Sequence, residues 1–304
     1  MSKRTMILLA VIGGIGLAMI ILGIAFGSHG MNTSYQPQNE FKLDPWVKIK
    51  LGALDLSITK AVLYLILASI LTVVTMTWIA RRMQQRPNRV QTAVEVAYSL
   101  MRDNIAGGNM DRETATRWFS FVATIFLFIW FSNILGYIPL PTNTEHKITI
   151  LGAHLPSFAL YAATANISVT LVLSLTVWIL YHWLGVRAQG PVGYLKSWLP
   201  AGTPRGPLGL GYAGIFLIEA ISHFVRLISL SVRLFANILA GHLLILFMGG
   251  GLVVLLGIAA LGPLTFVVGV AFFLFEVVLI ATLQAFIFAT LTAIYFGGAT
   301  AAHH

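Results

Sequence analysis

The chain has no cysteine among its 304 residues. This absence excludes disulfide bridges and thiolate metal sites, and it leaves the redox compartment undecided. Charged residues are also scarce at 10%, whereas hydrophobic residues make up 58% of the chain and the mean hydropathy is +0.86. A soluble domain of this composition would be hard to keep in solution. The composition therefore predicts an all-α polytopic membrane protein.

Several chemical motifs are missing as well. The sequence contains no glycine-rich phosphate loop, no nucleophile elbow and no zinc motif, so we expect no ATP binding or hydrolysis by this chain alone. We likewise predict no cofactor and no metal. The scattered histidines lack metal-ligand spacing and are interpreted as solvated or interfacial: His29, His146, His154 and His182.

The formal net charge of +9 could suggest a nucleic-acid partner. Its distribution argues otherwise, because seven of the 19 basic residues lie between Arg81 and Arg117, next to an apolar run. Arginines beside a span follow the positive-inside rule. We expect membrane lipid as a partner and no nucleic acid.

Six apolar runs predict membrane helices at about 6–26, 58–79, 118–138, 158–184, 213–248 and 252–296. Basic residues alternate between the connecting loops, which predicts that residues 81–117 and 186–212 are cytoplasmic and residues 139–158 external. The predicted organisation is an anchor or signal segment at 1–30, an external segment at 31–57, a membrane domain at 58–298 and a tail at 299–304. The length of the first run favours a retained anchor over a cleaved signal.

Residues 90–105 have a different pattern, which predicts an amphipathic helix at the membrane surface or against another subunit. One face carries Val94, Val96, Ala97, Leu100, Met101 and Ile105, and the other carries Gln91, Glu95, Arg102 and Asp103.

The last third of the chain contains two overlong apolar runs. Residues 213–248 hold no proline, and at 1.5 Å per residue a single helix would be ~54 Å long, against a hydrocarbon core of ~30 Å. Such a helix must tilt by roughly 55° to stay within the core. Gly249–Gly251 predict a turn, and Gly262-Pro263 interrupt the second run. We therefore expect a steeply tilted helical hairpin that packs against a neighbour.

Arg233 places a permanent cation inside the first of these runs. Arg226 precedes it by seven residues and Glu219 by fourteen, so the three share one helical face. A charge at the bilayer centre costs at least about 2.5–3.5 kcal/mol, which makes it a candidate functional group. The alternative is a buried salt bridge that holds a helix bundle together.

Three separated motifs resemble those of a known family. They are RLFAN at 233–237 with AGH at 240–242, LQAFIF at 283–288 with Leu291, Thr292 and Tyr295, and QTAVE at 91–95. They resemble subunit a of the F-type ATP synthase, the membrane stator beside the rotor ring, over roughly residues 46–298.

This resemblance implies a proton-translocating subunit that is not an enzyme on its own. The implied partners are the rotor c-ring subunits, peripheral stalk subunit b and the remaining ATP synthase subunits. Arg233 would be the essential arginine, facing the ring carboxylates between two aqueous half-channels. The implied location is the bacterial plasma membrane, with an organellar energy-transducing membrane as the alternative.

The resemblance also assigns roles to other polar residues. Asn237 and Gln284 would support the arginine at the rotor face, Glu219 and His223 would line the cytoplasmic half-channel, and Arg226 would be auxiliary. The alternatives are helix–helix hydrogen bonding for Asn237 and a local i,i+4 pair for Glu219 and His223.

His242 follows Arg233 by nine residues, about 180° around the helix, so it would face the last helix and the external half-channel. Glu276 is its possible partner, although it precedes Gln284 by eight residues where the family more often has a polar group seven before. Asn133 and Asn166 are auxiliary candidates, and many relatives carry Asp where Asn166 stands.

Two other functions remain open from the residues alone. A secondary transporter with a charged midplane site would show inverted repeats and broken helices. A membrane scaffold subunit would use its charges only to specify helix pairing.

Overall fold

The computed structural model describes residues 3–26, 41–51, 54–55, 57–82, 89–150, 153–199 and 209–301. Predictions on residues 27–40, 83–88, 200–208 and 302–304 lie outside the described residues. Six helical segments are long and apolar enough to cross a membrane, which confirms the all-α polytopic class. They are Lys3–Phe26, Lys60–Arg81, Arg112–Leu135, Ile167–Lys196, Gly214–Val254 and Ala259–Thr300.

The chain divides into two compact units. The first comprises Met1–Lys60, Tyr137–Tyr161 and Ile238–Ile280. The second comprises Ala61–Gly136, Ala162–Asn237 and Ala281–His304.

In the first unit, helix α1 (Lys3–Phe26) packs against the 3₁₀ turn Ala259–Leu261 and helix α9 (Gly262–Phe275). Two antiparallel strand pairs follow α1 in sequence, β1 (Lys50–Leu51) with β2 (Leu54–Asp55), and β3 (Leu140–Ile150) with β4 (Ala153–Ala159).

The predicted loop 139–158 is thus a β-hairpin. Its strands contain Pro141 and Pro156, which a two-stranded sheet with two free edges tolerates.

The second unit contains helices α2 (Lys60–Arg82), α3 (Arg89–Ser99), α4 (Gly107–Asn109), α5 (Arg112–Leu135), α6 (Ile167–Lys196) and α10 (Ala281–Thr300). Helix α10 packs against both α5 and α6. Its buried stripe consists of Ala285, Phe288, Ala289, Ala293 and Phe296, each at most 1% exposed. Small side chains at helical spacing let the backbones approach closely, as is usual where lipid provides no hydrophobic driving force.

The predicted amphipathic helix is α3, which continues as a π-helix over Leu100–Ala106. Met101 is buried and Arg102 exposed, as predicted. Two positions are reversed: Gln91 is 4% exposed and Val96 is 67% exposed. Gln91 can be buried because its side-chain amide donates a hydrogen bond to Oε1 of Glu95 at 2.7 Å.

Helices α5 and α6 begin at different residues than predicted. Asp111 caps α5 by accepting hydrogen bonds from the backbone N–H groups of Glu113 and Thr114, so the helix starts at Arg112 rather than Trp118. Asn166 caps α6 through a bond from the Ser168 N–H at 2.8 Å. For α5, the hydropathy pattern locates the apolar part of the helix but not its polar first turn. Helix α6 begins at Ile167 rather than at 158, because the apolar residues before it form the end of β4 and a 3₁₀ turn at Ala163–Ala165. At its other end, α6 continues through a kink at Gly190-Pro191 to Lys196.

We expect Asp111→Ala to lower the stability of the chain by about 0.5–2 kcal/mol, because two backbone donors lose their acceptor. The matched control is Asp111→Asn, which keeps a capping oxygen and should lose much less. Thermal unfolding of the two variants in detergent measures the difference. The hydrogen bond from the Thr114 N–H lowers the pKa of Asp111. The stabilisation should therefore be present at neutral pH and disappear as the pH falls through that lowered value.

The C-terminal hairpin begins with helix α7 (Gly209–Leu246), 38 residues without interruption. This confirms an overlong helix, while its tilt in a membrane stays a prediction. The predicted turn at Gly249–Gly251 is wrong, because these residues belong to a π-helix that leads with a kink into α8 (Leu252–Leu256). The left-handed residue is Gly257, with φ 66°, a conformation that glycine adopts without steric cost.

Candidate functional site

Arg233 lies on an exposed face of α7. Asn237 is one turn further along the helix and is also exposed, as are Ser229 and Ala236 beside them. Leu234, the next residue and about 100° around the helix, is 1% exposed. Within the described part of the chain, no carboxylate forms an ion pair with Arg233. Arg233 therefore presents its charge outward from its unit rather than holding helices together.

Gln284 is buried on α10, at 5% exposure. Among the described residues, no hydrogen bond joins it to Arg233. Its predicted role in supporting the arginine stays a prediction.

Glu219, His223 and Arg226 come together as their helical spacing predicts. Oε1 of Glu219 lies 3.3 Å from a guanidinium nitrogen of Arg226 and 3.7 Å from Nε2 of His223. The side chains of Glu219 and Arg226 are 37% and 39% exposed, whereas His223 is nearly buried. The carboxylate is therefore partly exposed and lies beside an imidazole, and both groups can carry a proton.

A cavity of about 420 Å³ opens beside this trio. Its polar lining comes from α6, α7 and α10 and consists of Tyr181, Gln189, Tyr194, Ser197, Glu219, His223, Arg226 and Tyr295. We call these residues the inner cluster. A cavity of this size and polarity can hold several water molecules.

Tyr181 and Tyr194 of the inner cluster were not identified from the sequence, and Tyr295 was named there only as part of a family motif. The Tyr181 hydroxyl lies 2.7 Å from Nδ1 of His223, and the Arg226 guanidinium lies over the Tyr295 ring at 5.8 Å. His182, interpreted above as solvated or interfacial, has its Nδ1 2.7 Å from the Tyr194 hydroxyl. Its position relative to the membrane surface stays a prediction.

These partners are 12 to 69 residues apart in sequence, and aromatic residues are common in every span of this chain. Only the packing of α6 and α10 against this region identifies them.

A second cluster lies in the first unit and consists of Tyr137, His242 and Glu276. We call it the outer cluster. The Tyr137 hydroxyl donates to Oε2 of Glu276 at 3.1 Å, and the Tyr137 ring stacks on His242 with centroids 4.4 Å apart. Burial and the nearby Glu276 carboxylate raise the pKa of Tyr137, so its hydroxyl remains a donor.

His242 is fully buried, and its Nδ1 lies 2.9 Å from the carbonyl oxygen of Ile238. A carbonyl can only accept, so Nδ1 of His242 carries the proton of this hydrogen bond. His242 and Glu276 therefore lie in one cluster, as predicted, and Tyr137 contacts both of them. Tyr137, which follows the end of α5, was not identified as a candidate from the sequence.

Gly241 makes the approach of Glu276 possible. A Cβ atom at this position would overlap the Glu276 carboxylate. Glu276 precedes Gln284 by eight residues, one more than the spacing of seven that is more common in the family. The extra residue lies in a segment that contains the π-helix Glu276–Ile280. A π-helical turn takes up an extra residue without breaking the helix.

The two auxiliary asparagines are engaged in structural hydrogen bonds. Asn133 is fully buried, donates to the carbonyl of Ala281 at 3.1 Å and accepts from the Thr164 hydroxyl at 2.7 Å. Asn166 caps α6. Their roles in a pathway stay predictions. No group of three His, Asp or Glu residues in the described ranges could hold a metal ion.

Comparisons with known proteins agree on one family. The family model for the ATP synthase A chain matches residues 62–297. ATP synthase subunit a of Rubrobacter xylanophilus is 36% identical over 256 residues, covering 83% of this chain and 88% of the relative. The Hyphomonas neptunium and Pelagibacter ubique proteins of the same name are each 32% identical, over 86% and 88% of this chain and 95% and 98% of their own lengths. The exposed intramembrane arginine and the polar clusters thus stand in a chain that belongs to the ATP synthase A chain family.

Proposed function

We propose that this chain is the proton-conducting stator subunit of an F-type ATP synthase, with Arg233 facing the carboxylates of the rotor ring. The observation that carries the proposal is an exposed arginine without an acidic partner in the described residues, on the same helix as Glu219, His223 and His242. By helix rise, Glu219 precedes Arg233 by about 21 Å and His242 follows it by about 14 Å.

The inner cluster serves as the half-channel to the cytoplasm and the outer cluster as the half-channel to the external side. The inner cluster supports this assignment because its cavity, large enough for several water molecules, is lined by a partly exposed carboxylate and an imidazole. The outer cluster supports it because Tyr137, His242 and Glu276 offer donors and acceptors in contact with one another. Arg187 and Lys196, two basic residues in the last part of α6, support a cytoplasmic position for the inner cluster under the positive-inside rule.

Arg233 acts on the rotor carboxylate by electrostatics. Two unit charges 4 Å apart attract by ~4 kcal/mol at an effective dielectric constant of 20. That corresponds to roughly three pKa units, enough to keep a passing carboxylate ionised where water is scarce. The same fixed charge opposes direct passage of a proton between the half-channels. A lysine would serve less well, because its pKa falls readily in such a site.

The subunit is non-catalytic and works within the ATP synthase complex in a bacterial plasma membrane, beside the c-ring and peripheral stalk subunit b. The relatives named ATP synthase subunit a support this assignment. The membrane scaffold alternative requires a neutralising acid for Arg233, and the described residues supply none.

Purification of a tagged chain from its native membrane tests the proposal. We expect a ring-forming proteolipid and a catalytic head to copurify, and ATP hydrolysis by the complex to pump protons into vesicles. A chain that purifies alone, or with a complex that lacks ATPase activity, would contradict the proposed function.

A further inference from the structure

The inner cluster continues beyond His223 into a second imidazole. The ring of His182 lies with its centroid 4.8 Å from that of His223. On its other side, Nδ1 of His182 lies 2.7 Å from the Tyr194 hydroxyl, and Tyr194 lines the cavity. His182 therefore lies between the buried imidazole of His223 and the hydroxyl of Tyr194, a residue that lines the cavity of the inner cluster.

The remaining nitrogen of His182 is available for a proton. Nε2 is buried and makes no hydrogen bond with any described residue, and the same holds for the nearby Trp198 indole N–H. A buried polar nitrogen without a partner carries a desolvation cost that a purely structural aromatic residue would avoid. The ionisable groups around it are Tyr181 and Tyr194 from α6, Glu219, His223 and Arg226 from α7, and Tyr295 from α10.

We propose that His182 is a proton-relay residue that connects His223 to Tyr194 and so to the cytoplasmic mouth of the cavity. This inference rests on the proposed function and deepens it, because it adds a carrier to the cytoplasmic half-channel. Tyr194 follows the kink at Gly190 and lies near Lys196, toward the predicted cytoplasmic end of α6.

The relay step conserves protons. An N–H bond of protonated His223 breaks and a new N–H bond forms at Nε2 of neutral His182, directly or through one water molecule. His182 then gives up the proton on Nδ1 to the Tyr194 oxygen, and the Tyr194 O–H proton leaves to water in the cavity. One proton has then moved from His223 to the water in the cavity, and the His182 ring returns to its starting tautomer by exchange with water. The same steps in reverse carry a proton from the cavity water to His223.

The test compares variants of His182 in the assembled complex in proteoliposomes, with potential-driven proton flux as the readout. His182→Asn keeps an amide donor for the Tyr194 hydroxyl but cannot be protonated. We expect this variant and His182→Phe to slow flux about tenfold or more, with normal assembly. If His182 only positions Tyr194, His182→Asn would conduct like the parent, and that result would overturn the inference.

Chemical rescue provides a second, independent readout. In His182→Ala, imidazole added on the cytoplasmic side should restore flux, whereas pyrazole, which has the same shape but is a far weaker base, should not. A relay would be contradicted if both compounds restored flux equally, or if neither compound restored it. In the same vesicles, Arg233→Ala tests the proposed function separately. If Arg233→Ala abolishes coupled synthesis while His182→Asn conducts normally, only the His182 inference fails.

Discussion

Arg233→Ala should abolish ATP synthesis driven by an imposed membrane potential while the subunit remains inserted and assembled. The guanidinium is exposed and forms no ion pair with the described residues, so its removal leaves no buried acid without a partner. The rotor carboxylate, however, loses the fixed cation that keeps it ionised. The loss of ~4 kcal/mol of attraction corresponds to a rate decrease of about a thousandfold or more. Passive proton leak should persist or grow, because nothing then separates the half-channels.

The measurement is paired: the abundance of the subunit in the purified complex and the rate of ATP synthesis in the same vesicles. Arg187→Ala is the control, since Arg187 lies over the Trp183 ring at 5.2 Å, away from the inner cluster. A structural salt-bridge role for Arg233 predicts the reverse pattern. Breaking a buried pair often costs ~3–5 kcal/mol, so assembly would suffer first.

His242→Leu should slow potential-driven proton flux by about a hundredfold. His242 is fully buried, its ring stacks on Tyr137, and Tyr137 donates to Glu276, so the substitution removes the central imidazole of the outer cluster. Positioned acid–base groups typically contribute 10²–10⁴-fold to proton transfer. Flux is measured in proteoliposomes at a known potential, where the driving force is ~2.3 kcal/mol per charge per 100 mV.

Thr265→Val is the matched control for this variant. Thr265 is a buried polar residue of the same unit, and among the described residues its hydroxyl donates only to the nearby backbone carbonyls of Leu261 and Gly262. Flux should stay at the parental rate in Thr265→Val. Equal flux in His242→Leu and in the control would remove His242 from the pathway.

The sequence was most informative where one helix decides the arrangement. The spacing of Glu219, His223 and Arg226 on a single helical face predicted their contact, because helix geometry fixes it without any partner. The six membrane helices were also predicted correctly, because the length and composition of each apolar run are local properties of the sequence. Arg233 stood out because a permanent charge in an apolar run has a large cost.

The sequence was least informative where two helices meet. Tyr181 and Tyr137 reach His223 and Glu276 on other elements, and His182 reaches Tyr194 across the kink within α6. No local pattern in the sequence determines these pairings. The helix ends failed for another reason: Asp111 and Asn166 act through hydrogen bonds to backbone N–H groups, which hydropathy does not register. The turn was misplaced because glycine occurs both inside helical segments and at their ends: Gly249–Gly251 belong to a kinked π-helix, whereas Gly257 ends α8 in the left-handed conformation.

The most direct test of two half-channels on opposite sides uses silver ions applied to one side at a time. The naturally cysteine-free chain allows single thiols at Ser197→Cys, which lines the cavity of the inner cluster, and at Phe273→Cys, beside Tyr137 in the outer cluster. Silver binds a thiolate only where water reaches it and should then block proton flux. We predict that Ser197→Cys is blocked from the cytoplasmic side alone and Phe273→Cys from the external side alone. Block of both variants from the same side would contradict the proposal of two separate access paths that meet at Arg233.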